Sequence, residues 1–233
     1  MQTNYGIYSL KIKKGVKTHD MIGHTEPILK IIVLEPSRLQ KPNEQIPDDP
    51  KVITCSLDNT ILLWDFEKME VITRMEAPKH SELSCMTFLT NCCLVATGHE
   101  DGAIRLWNLE INSSVLLKCD ERQKHTNTIS CIHGAIWNDA EYLMCGSYDG
   151  RISIWEISEK KTFGANNQIS STIYPQLRQI IDNRRDPKRL EPRLNQFDRF
   201  EGDEVLVLNF FKREVKDKQQ EGFILVGGNN KNI

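Results

Sequence analysis

The chain has 233 residues, of which 39% are hydrophobic and 27% are charged, so it is long enough to bury a sizeable core. Its formal net charge of −2 provides no attraction to nucleic acid or to a membrane surface. No apolar run approaches the roughly 20 residues of a membrane span. We therefore expect neither a nucleic-acid nor a membrane partner.

The N-terminal part of the chain reads as short strands separated by polar segments. GIYSLKI (6–12) and KTHDMIG (17–23) are apolar runs bounded by turn residues, which is typical of strands. Residues 36–50 contain four prolines. Proline cannot donate to a strand ladder, so this segment is predicted to be an exposed loop.

Three segments further along the chain can be aligned with one another. They read SLDNTILLWD (56–65), HEDGAIRLWN (99–108) and SYDGRISIWE (147–156), and each has an aspartate six residues before a tryptophan. The tryptophans are 43 and 48 residues apart. A repeat of this period indicates one supersecondary unit that is used several times.

The residues around these segments repeat as well. A histidine precedes each tryptophan, and two apolar runs lie between them, such as 83–89 and 93–98 in the second repeat. The Asp-Gly pairs at 101–102 and 149–150 are hairpin signals, because glycine tolerates the positive φ of tight turns. Each repeat is therefore predicted to be a small antiparallel sheet.

Over roughly residues 20–160 this pattern resembles the WD40-repeat β-propellers. The Gly-His pair typical of the family occurs at 23–24 and the Trp-Asp pair at 64–65, while the other repeats have Trp-Asn and Trp-Glu. The resemblance implies an all-β WD40-type propeller, in which four-stranded blades surround a central channel. Three repeats with partial blades at both ends are too few to close a ring, so we expect a fragment of a longer protein.

The resemblance also implies a structural role for the repeated polar residues, as a hydrogen-bonded chain inside each blade. Buried polar groups need such partners. Cys145 stands where the second repeat has its threonine, so the third network is expected to be weaker. A hydrolase triad is the alternative, and the threefold repetition argues against it. The expected networks comprise His24, Thr54, Asp58 and Trp64; His80, Thr97, Asp101 and Trp107; and His125, Asp149 and Trp155.

The alignment sets the expected domain boundaries. Residues 1–22 would be the end strands of a preceding blade. Residues 204–233 would be a partial fourth repeat, with a turn at 213–222, that ends before its expected tryptophan. The remaining ranges are repeat 1 (23–78, with the loop 36–50), repeat 2 (79–123), repeat 3 (124–161) and a basic insertion (162–203).

The insertion 162–203 is longer than an ordinary connection, and long loops are often functional. Its apolar residues have helical spacing, which predicts one short helix, and a basic cluster follows them. We expect this segment to contact an acidic protein such as tubulin or an axonemal subunit. The candidate contact residues are Leu177, Ile180, Ile181, Arg184, Arg185, Lys188 and Arg189.

The seven cysteines are odd in number and form no CxxC pair, which favours a reducing, cytoplasmic compartment and gives no metal-binding spacing. No catalytic, phosphate-binding or calcium-binding motif is present, so we expect no cofactor, metal or small-molecule substrate.

The expected function is a non-catalytic protein–protein interaction scaffold. The run 94–110 with the segment 125–129 resembles large WD-repeat proteins of motile cilia. A soluble adaptor in trafficking or ubiquitin ligation and a propeller hydrolase are the alternatives.

Overall fold

The computed structural model describes residues 5–11, 16–34, 50–163, 169–182, 204–215 and 219–228. These residues form sixteen strands and no helix. The strands are β1 (Tyr5–Lys11), β2 (Val16–His24), β3 (Ile28–Leu34), β4 (Lys51–Ser56), β5 (Thr60–Asp65), β6 (Glu70–Glu76), β7 (Leu83–Leu89), β8 (Leu94–His99), β9 (Ile104–Asn108), β10 (Ser113–Leu116), β11 (Ile129–Trp137), β12 (Ala140–Ser147), β13 (Arg151–Phe163), β14 (Ile169–Asp182), β15 (Val205–Val215) and β16 (Gln219–Gly228).

Twelve of the strands form three four-stranded antiparallel sheets, each made of consecutive strands. We call them sheet I (β3–β6), sheet II (β7–β10) and sheet III (β11–β14). Strands β1 and β2 form an N-terminal half-sheet, and β15 and β16 form a C-terminal half-sheet. This architecture confirms the prediction of an all-β, propeller-type fold.

The hairpin turns explain why the sequence repeats Asp-Gly. Gly102 and Gly150 have φ angles of 78° and 76°, and Asn59 has 64° at the same position of sheet I. Glycine adopts this left-handed region without steric cost, and asparagine tolerates it better than most residues. The turn residues therefore fix the register of the second and third strand in every repeat.

The sheets pack face to face through four apolar clusters, three of which contain a repeat tryptophan. Trp107 lies in the cluster between sheets I and II, and Trp155 lies in the cluster between sheets II and III. Trp64 packs with Met21 of β2, so the N-terminal half-sheet covers part of sheet I. Val205 and Leu208 of β15 pack on Met144 and Ile152 of sheet III.

The structure corrects the helix predicted in the 162–203 insertion. Residues 169–182 form β14, which pairs with β13 along its whole length. A bulge leaves Arg178 without a paired residue on β13, so the apolar positions before and after it are out of phase. An interrupted alternation of this kind looks like helical spacing in a sequence. The fourth strand of sheet III thus lies inside the range assigned to the insertion.

The turn predicted at 213–222 is too long. Strand β15 continues to Val215 and β16 begins at Gln219, so most of this charged segment is strand. The predicted proline-rich loop 36–50 lies outside the described residues except for Pro50.

The part of the chain that the structure describes contains no helix that could cross a membrane.

We expect the far-UV circular dichroism spectrum of the chain to be that of a β protein, because every described element is a strand. Measuring the spectrum of the 233-residue chain at neutral pH checks this. A spectrum dominated by the double minimum of α-helix would contradict the architecture.

Candidate functional site: three buried histidine–hydroxyl–tryptophan networks

The first network lies inside sheet I and joins four side chains. The indole Nε1–H of Trp64 donates to Thr54 Oγ1 at 2.8 Å, and Thr54 Oγ1 lies 2.7 Å from His24 Nε2. His24 Nδ1 lies 3.0 Å from Asp58 Oδ2. These distances fit one proton arrangement, in which Thr54 donates to Nε2 and the neutral imidazole donates from Nδ1 to the carboxylate. All predicted members of this set are in contact.

Asp58 is held at the head of sheet I by several donors. Thr60 donates to it through its hydroxyl at 2.6 Å and its amide at 2.9 Å, and the Thr25 amide donates at 2.9 Å. Burial alone would raise the pKa of Asp58, but these hydrogen bonds and the nearby His24 outweigh it and lower the pKa. Burial lowers the pKa of His24, which keeps the imidazole neutral.

The third network repeats this geometry with a different hydroxyl. Ser153 Oγ accepts from Trp155 Nε1 at 3.0 Å and lies 2.9 Å from His125 Nε2, while His125 Nδ1 lies 3.2 Å from Asp149. The hydroxyl comes from the tryptophan's own strand rather than from the position of Cys145. Ser153 thus supplies the hydroxyl that Cys145 lacks, and the expectation that this network is weaker than the others stays a prediction.

Arg151 makes the third network more highly charged than the first. Its guanidinium donates to Asp149 at 2.9 Å and to the carbonyls of Arg122 and Lys124 at 3.1 and 2.6 Å. Burial opposes ionisation of Asp149, but hydrogen bonds from His125, Thr126 and Arg151 hold its pKa well below the usual range. A buried ion pair thus connects the turn to the loop that precedes the sheet.

The second network differs from the prediction. His80 is exposed, and His99 takes its place. Trp107 Nε1 donates to Thr97 Oγ1 at 2.7 Å, Thr97 Oγ1 lies 2.9 Å from His99 Nε2, and His99 Nδ1 donates to the Ser81 carbonyl at 2.8 Å. The imidazole here comes from the end of the second strand, where the other repeats have a serine.

Asp101 is consequently not part of a buried network. It is exposed and accepts from the Ser81 hydroxyl and the Ala103 amide, both at 3.0 Å. The predicted set of His80, Thr97, Asp101 and Trp107 thus contributes only Thr97 and Trp107 to the network. A backbone carbonyl replaces the carboxylate as the final acceptor.

Sequence reasoning missed several residues of these networks. Ser153 could have been found as a hydroxyl two residues before a repeat tryptophan, on the same face of its strand. His99 could have been found as a histidine two residues after Thr97. The missed members are Thr60, Ser81, His99, Arg151 and Ser153.

The hydroxyl–histidine–carboxylate order in sheets I and III resembles a hydrolase triad. Thr54, Thr97 and Ser153 are nevertheless at most 1% exposed, and each oxygen already accepts an indole N–H. A nucleophile must reach its substrate, and these hydroxyls cannot. The arrangement can hold a sheet together but offers no reactive atom at the surface.

The cysteines show no sign of activation. Burial raises the pKa of Cys55 and of Cys85 to about 12, so both remain thiols at neutral pH. Within the described ranges, no group of three or more histidine, cysteine or acidic residues could hold a metal ion.

The structure describes the apolar residues of the predicted partner contact but not the basic ones. Leu177 packs against the cluster between sheets II and III, and Ile181 packs against the cluster beneath β15. Ile180 is half-buried on the same strand. Leu177 and Ile181 thus pack into the interior of the fold, and the three residues lie on a strand instead of the predicted apolar helix face. Arg184, Arg185, Lys188 and Arg189 lie outside the described residues.

A scan against protein-family models matches three copies of the WD40 model, described as "WD domain, G-beta repeat", at residues 40–65, 70–108 and 118–156. Each match ends at the residue after a repeat tryptophan.

Curated proteins with sequence similarity come from several processes. The chain is 25% identical to the ribosome biogenesis protein WDR12 homolog of Ixodes scapularis, over 65% of this chain and 32% of that protein. It is 29% identical to the WD repeat-containing protein 91 homolog of Dictyostelium discoideum (54% and 15%). It is 26% identical to dynein axonemal assembly factor 10 of Xenopus tropicalis (56% and 40%). The chain thus spans less than half the length of each.

Replacing Asp149 by alanine should destabilise the fold far more than the same change at Asp101. Asp149→Ala leaves Arg151 buried without its counter-ion, which costs about 3–5 kcal/mol of unfolding free energy. Asp101 is exposed, so Asp101→Ala should change stability by about 0.5 kcal/mol or less. Urea denaturation of both variants measures this. Equal losses would show that the buried pair is not what stabilises sheet III.

Stability should decrease as the pH falls below about 6.5. Burial lowers the pKa of His24 and of His99, so the unfolded chain binds protons at a higher pH than the native chain does. The stabilisation is complete above about pH 6.5 and is lost as the pH falls towards the lowered values. Asp58 and Asp149, with lowered pKa values, add a further loss below about pH 4.

The unfolding free energy at pH 7.5, 6.5 and 5.5 tests this dependence. The variant His99→Gln keeps a polar amide but cannot titrate, so it should show a smaller decrease between pH 6.5 and 5.5. A wild-type free energy that is constant over this range would contradict the neutral, buried imidazoles.

Proposed function

The chain belongs to the WD40-repeat family, and from this premise we propose that it is a protein–protein interaction scaffold of the ciliary axoneme or of another large protein assembly. WD40 domains generally mediate protein contacts and are generally non-catalytic. Fold alone does not define a partner, so the proposal depends on the surfaces and interior of this chain.

The observation that carries the proposal is that the hydroxyls and imidazoles of the three described networks all form their hydrogen bonds inside the sheets. The three hydroxyls are buried, each accepts an indole proton, and each imidazole has a partner on both ring nitrogens. This supports a non-catalytic role. What the fold offers to other molecules is therefore its surface.

The outer strands provide one such surface. Val71 and Ile72 on β6, and Val115 and Leu116 on β10, are apolar and exposed. These strands form the outer edges of sheets I and II. Exposed apolar side chains on such edges favour contact with a protein partner over contact with water.

The axonemal part of the proposal is supported by two features of the sequence. One is the similarity to dynein axonemal assembly factor 10. The other is the basic cluster at Arg184, Arg185, Lys188 and Arg189, which suits an acidic partner such as tubulin. Single exposed ion pairs contribute little, so several of these residues would act together and their contact would weaken with salt.

Retention in isolated axonemes tests the proposal. A tagged copy of the full-length protein, expressed in ciliated cells, should stay with axonemes after detergent extraction and be released as the salt concentration rises. The double variant Arg184→Glu with Arg185→Glu should reduce the retained fraction several-fold. The matched control, Lys79→Glu with Lys118→Glu, changes two exposed lysines elsewhere and should be retained like the wild type.

Recovery of the wild-type protein entirely in the soluble fraction would overturn the axonemal assignment and favour a soluble adaptor. Equal loss of retention in both double variants would show that the contact responds to net charge rather than to the basic cluster.

A further inference from the structure

Each sheet is tied to the segment that precedes it by the last residue of its second strand. In sheets I and III this residue is a serine: the Ser56 and Ser147 hydroxyls donate to backbone carbonyls of the preceding segment at 2.9 and 3.0 Å. In sheet II the residue is His99, whose Nδ1 donates to the Ser81 carbonyl at 2.8 Å. Only sheet II therefore uses a titratable group for this contact among the three.

His99 also performs a second role, which the other two sheets give to a different residue. Its Nε2 lies 2.9 Å from Thr97 Oγ1, the hydroxyl that accepts from Trp107. In sheets I and III a histidine of the preceding segment occupies this place. His80 lies three residues before the first strand of its sheet rather than four, and it is exposed. One imidazole thus holds both the tryptophan network and the preceding segment of sheet II.

No carboxylate contacts the imidazole of sheet II. His24 and His125 lie 3.0 and 3.2 Å from Asp58 and Asp149, so a second proton on either ring would form an ion pair. His99 is 0% exposed, and its hydrogen-bond partners are a hydroxyl and a backbone carbonyl, both neutral. A positive charge is therefore compensated in sheets I and III but not in sheet II.

The charged groups near His99 do not supply this compensation. Burial is the main reason why the pKa of His99 is lowered, and the charge of Arg105 on β9 lowers it further. The bond to Ser81 and the charge of Asp101 act in the opposite direction, but Asp101 is exposed. Strand β7 and the rest of β8 carry no acidic or basic side chain. The other ionisable groups of the preceding segment and the turn are exposed: Lys79, His80, Glu82 and Glu100.

We propose that the junction between sheets I and II is an acid-sensitive hinge, in which protonation of His99 detaches the linker 77–82 from sheet II. The linker is the stretch of chain that connects β6 of sheet I to β7 of sheet II. A buried imidazolium with neutral partners is costly, and the ring avoids this cost by moving into water. Because one ring makes both contacts, its movement breaks the bond to Thr97 and the bond to Ser81 together.

The remaining contacts of the linker with the turn of sheet II are weaker anchors. The Ser81 hydroxyl donates to Asp101 at 3.0 Å, and the Glu100 amide donates to the Glu82 carbonyl at 2.9 Å. Asp101, Glu82 and Glu100 are all exposed, so water competes for these bonds. The hinge therefore opens the cluster between sheets I and II, while the carboxylates keep the networks of sheets I and III in place.

The hinge should open in mildly acidic solution. The opened form binds a proton at the ordinary histidine pKa of about 6.5, whereas the closed form binds it only at a lower pH. The closed form is thus fully favoured above about pH 6.5. Below this value the equilibrium constant for opening rises by up to about tenfold per pH unit, until the pH reaches the pKa of the closed form.

Hydrogen exchange of the full-length protein tests the hinge, with each rate corrected for its intrinsic rate at the same pH. Between pH 6.5 and 5.5, protection in the ranges 77–82 and 97–107 should fall by up to about tenfold. Protection in the ranges 52–64 and 143–155 should fall less, because sheets I and III retain a carboxylate beside their imidazoles.

Thiol labelling gives an independent measurement of the same opening. Cys55 lies in the cluster between sheets I and II, Cys145 lies in the cluster between sheets II and III, and both are 0% exposed. An aromatic disulfide that reacts with thiols in acid can label both, and mass spectrometry locates the label. The ratio of the Cys55 rate to the Cys145 rate should increase several-fold from pH 7.5 to pH 5.5.

Two histidine variants identify the group that titrates. The amide of His99→Gln can accept from Thr97 and donate to the Ser81 carbonyl without titrating, so sheet II should then respond to pH no more than the other sheets. His80→Gln is the matched control, because it removes an exposed histidine of the same linker and should behave like the wild type.

Wild-type protection of the linker and sheet II that stays constant from pH 7.5 to 5.5 would overturn the proposal. An equal loss of protection in all three sheets would also overturn it, since it would show global unfolding instead of a local hinge. Both outcomes are read from the wild type and hold even where His99→Gln does not fold. Loss of the pH response in His80→Gln, with the response kept in His99→Gln, would exclude His99 as the titrating group.

Discussion

The repeat tryptophan has one polar atom, the indole N–H, and the whole fold depends on how that atom is satisfied. Trp64, Trp107 and Trp155 are buried between sheets, where an unpaired donor would cost free energy. A threonine or serine hydroxyl accepts the proton in every case. The same hydroxyl must then donate its own hydrogen inside the protein, and the Nε2 atom of an imidazole is the acceptor.

Each group that accepts a hydrogen bond in this series also needs an acceptor for its own hydrogen, and the series ends at the turn. The imidazole that accepts at Nε2 donates at Nδ1, so a further acceptor is needed near the sheet surface. Sheets I and III use the turn aspartate, and sheet II uses the Ser81 carbonyl. The core tryptophan, the strand hydroxyl and the turn are thereby connected by one chain of hydrogen bonds, which makes each sheet a cooperative unit.

The part of this arrangement that depends on local spacing could be predicted from the sequence. Asp and Trp six residues apart predicted the repeat, the Asp-Gly pairs predicted the hairpins, and the four members of the first network are in contact. Predictions failed where a different residue supplies the same atom. His99 replaces His80, and Ser153 replaces a hydroxyl at position 145, because only the positions of the donor and acceptor atoms are constrained. A residue at a different chain position can take over the role as long as its donor or acceptor atom reaches the same place in the network.

The prediction for the residues of strand β14 failed for a related reason. Its bulge at Arg178 shifts the alternation of buried residues by one position, and a sequence pattern does not show which residue is bulged until the pairing partner is known. The bulge lets Leu177 and Ile181 pack into two different clusters, one on each face of sheet III. A segment that looked like an independent insertion is thus part of the sheet's packing.

The same physical constraint explains where function can reside. The hydroxyls of the three described networks are buried and accept tryptophan N–H groups, so they are not accessible to a substrate, and each sheet packs as a rigid body. Small residues such as Gly98 and Gly146 then let these rigid bodies approach closely and reproduce one interface from sheet to sheet.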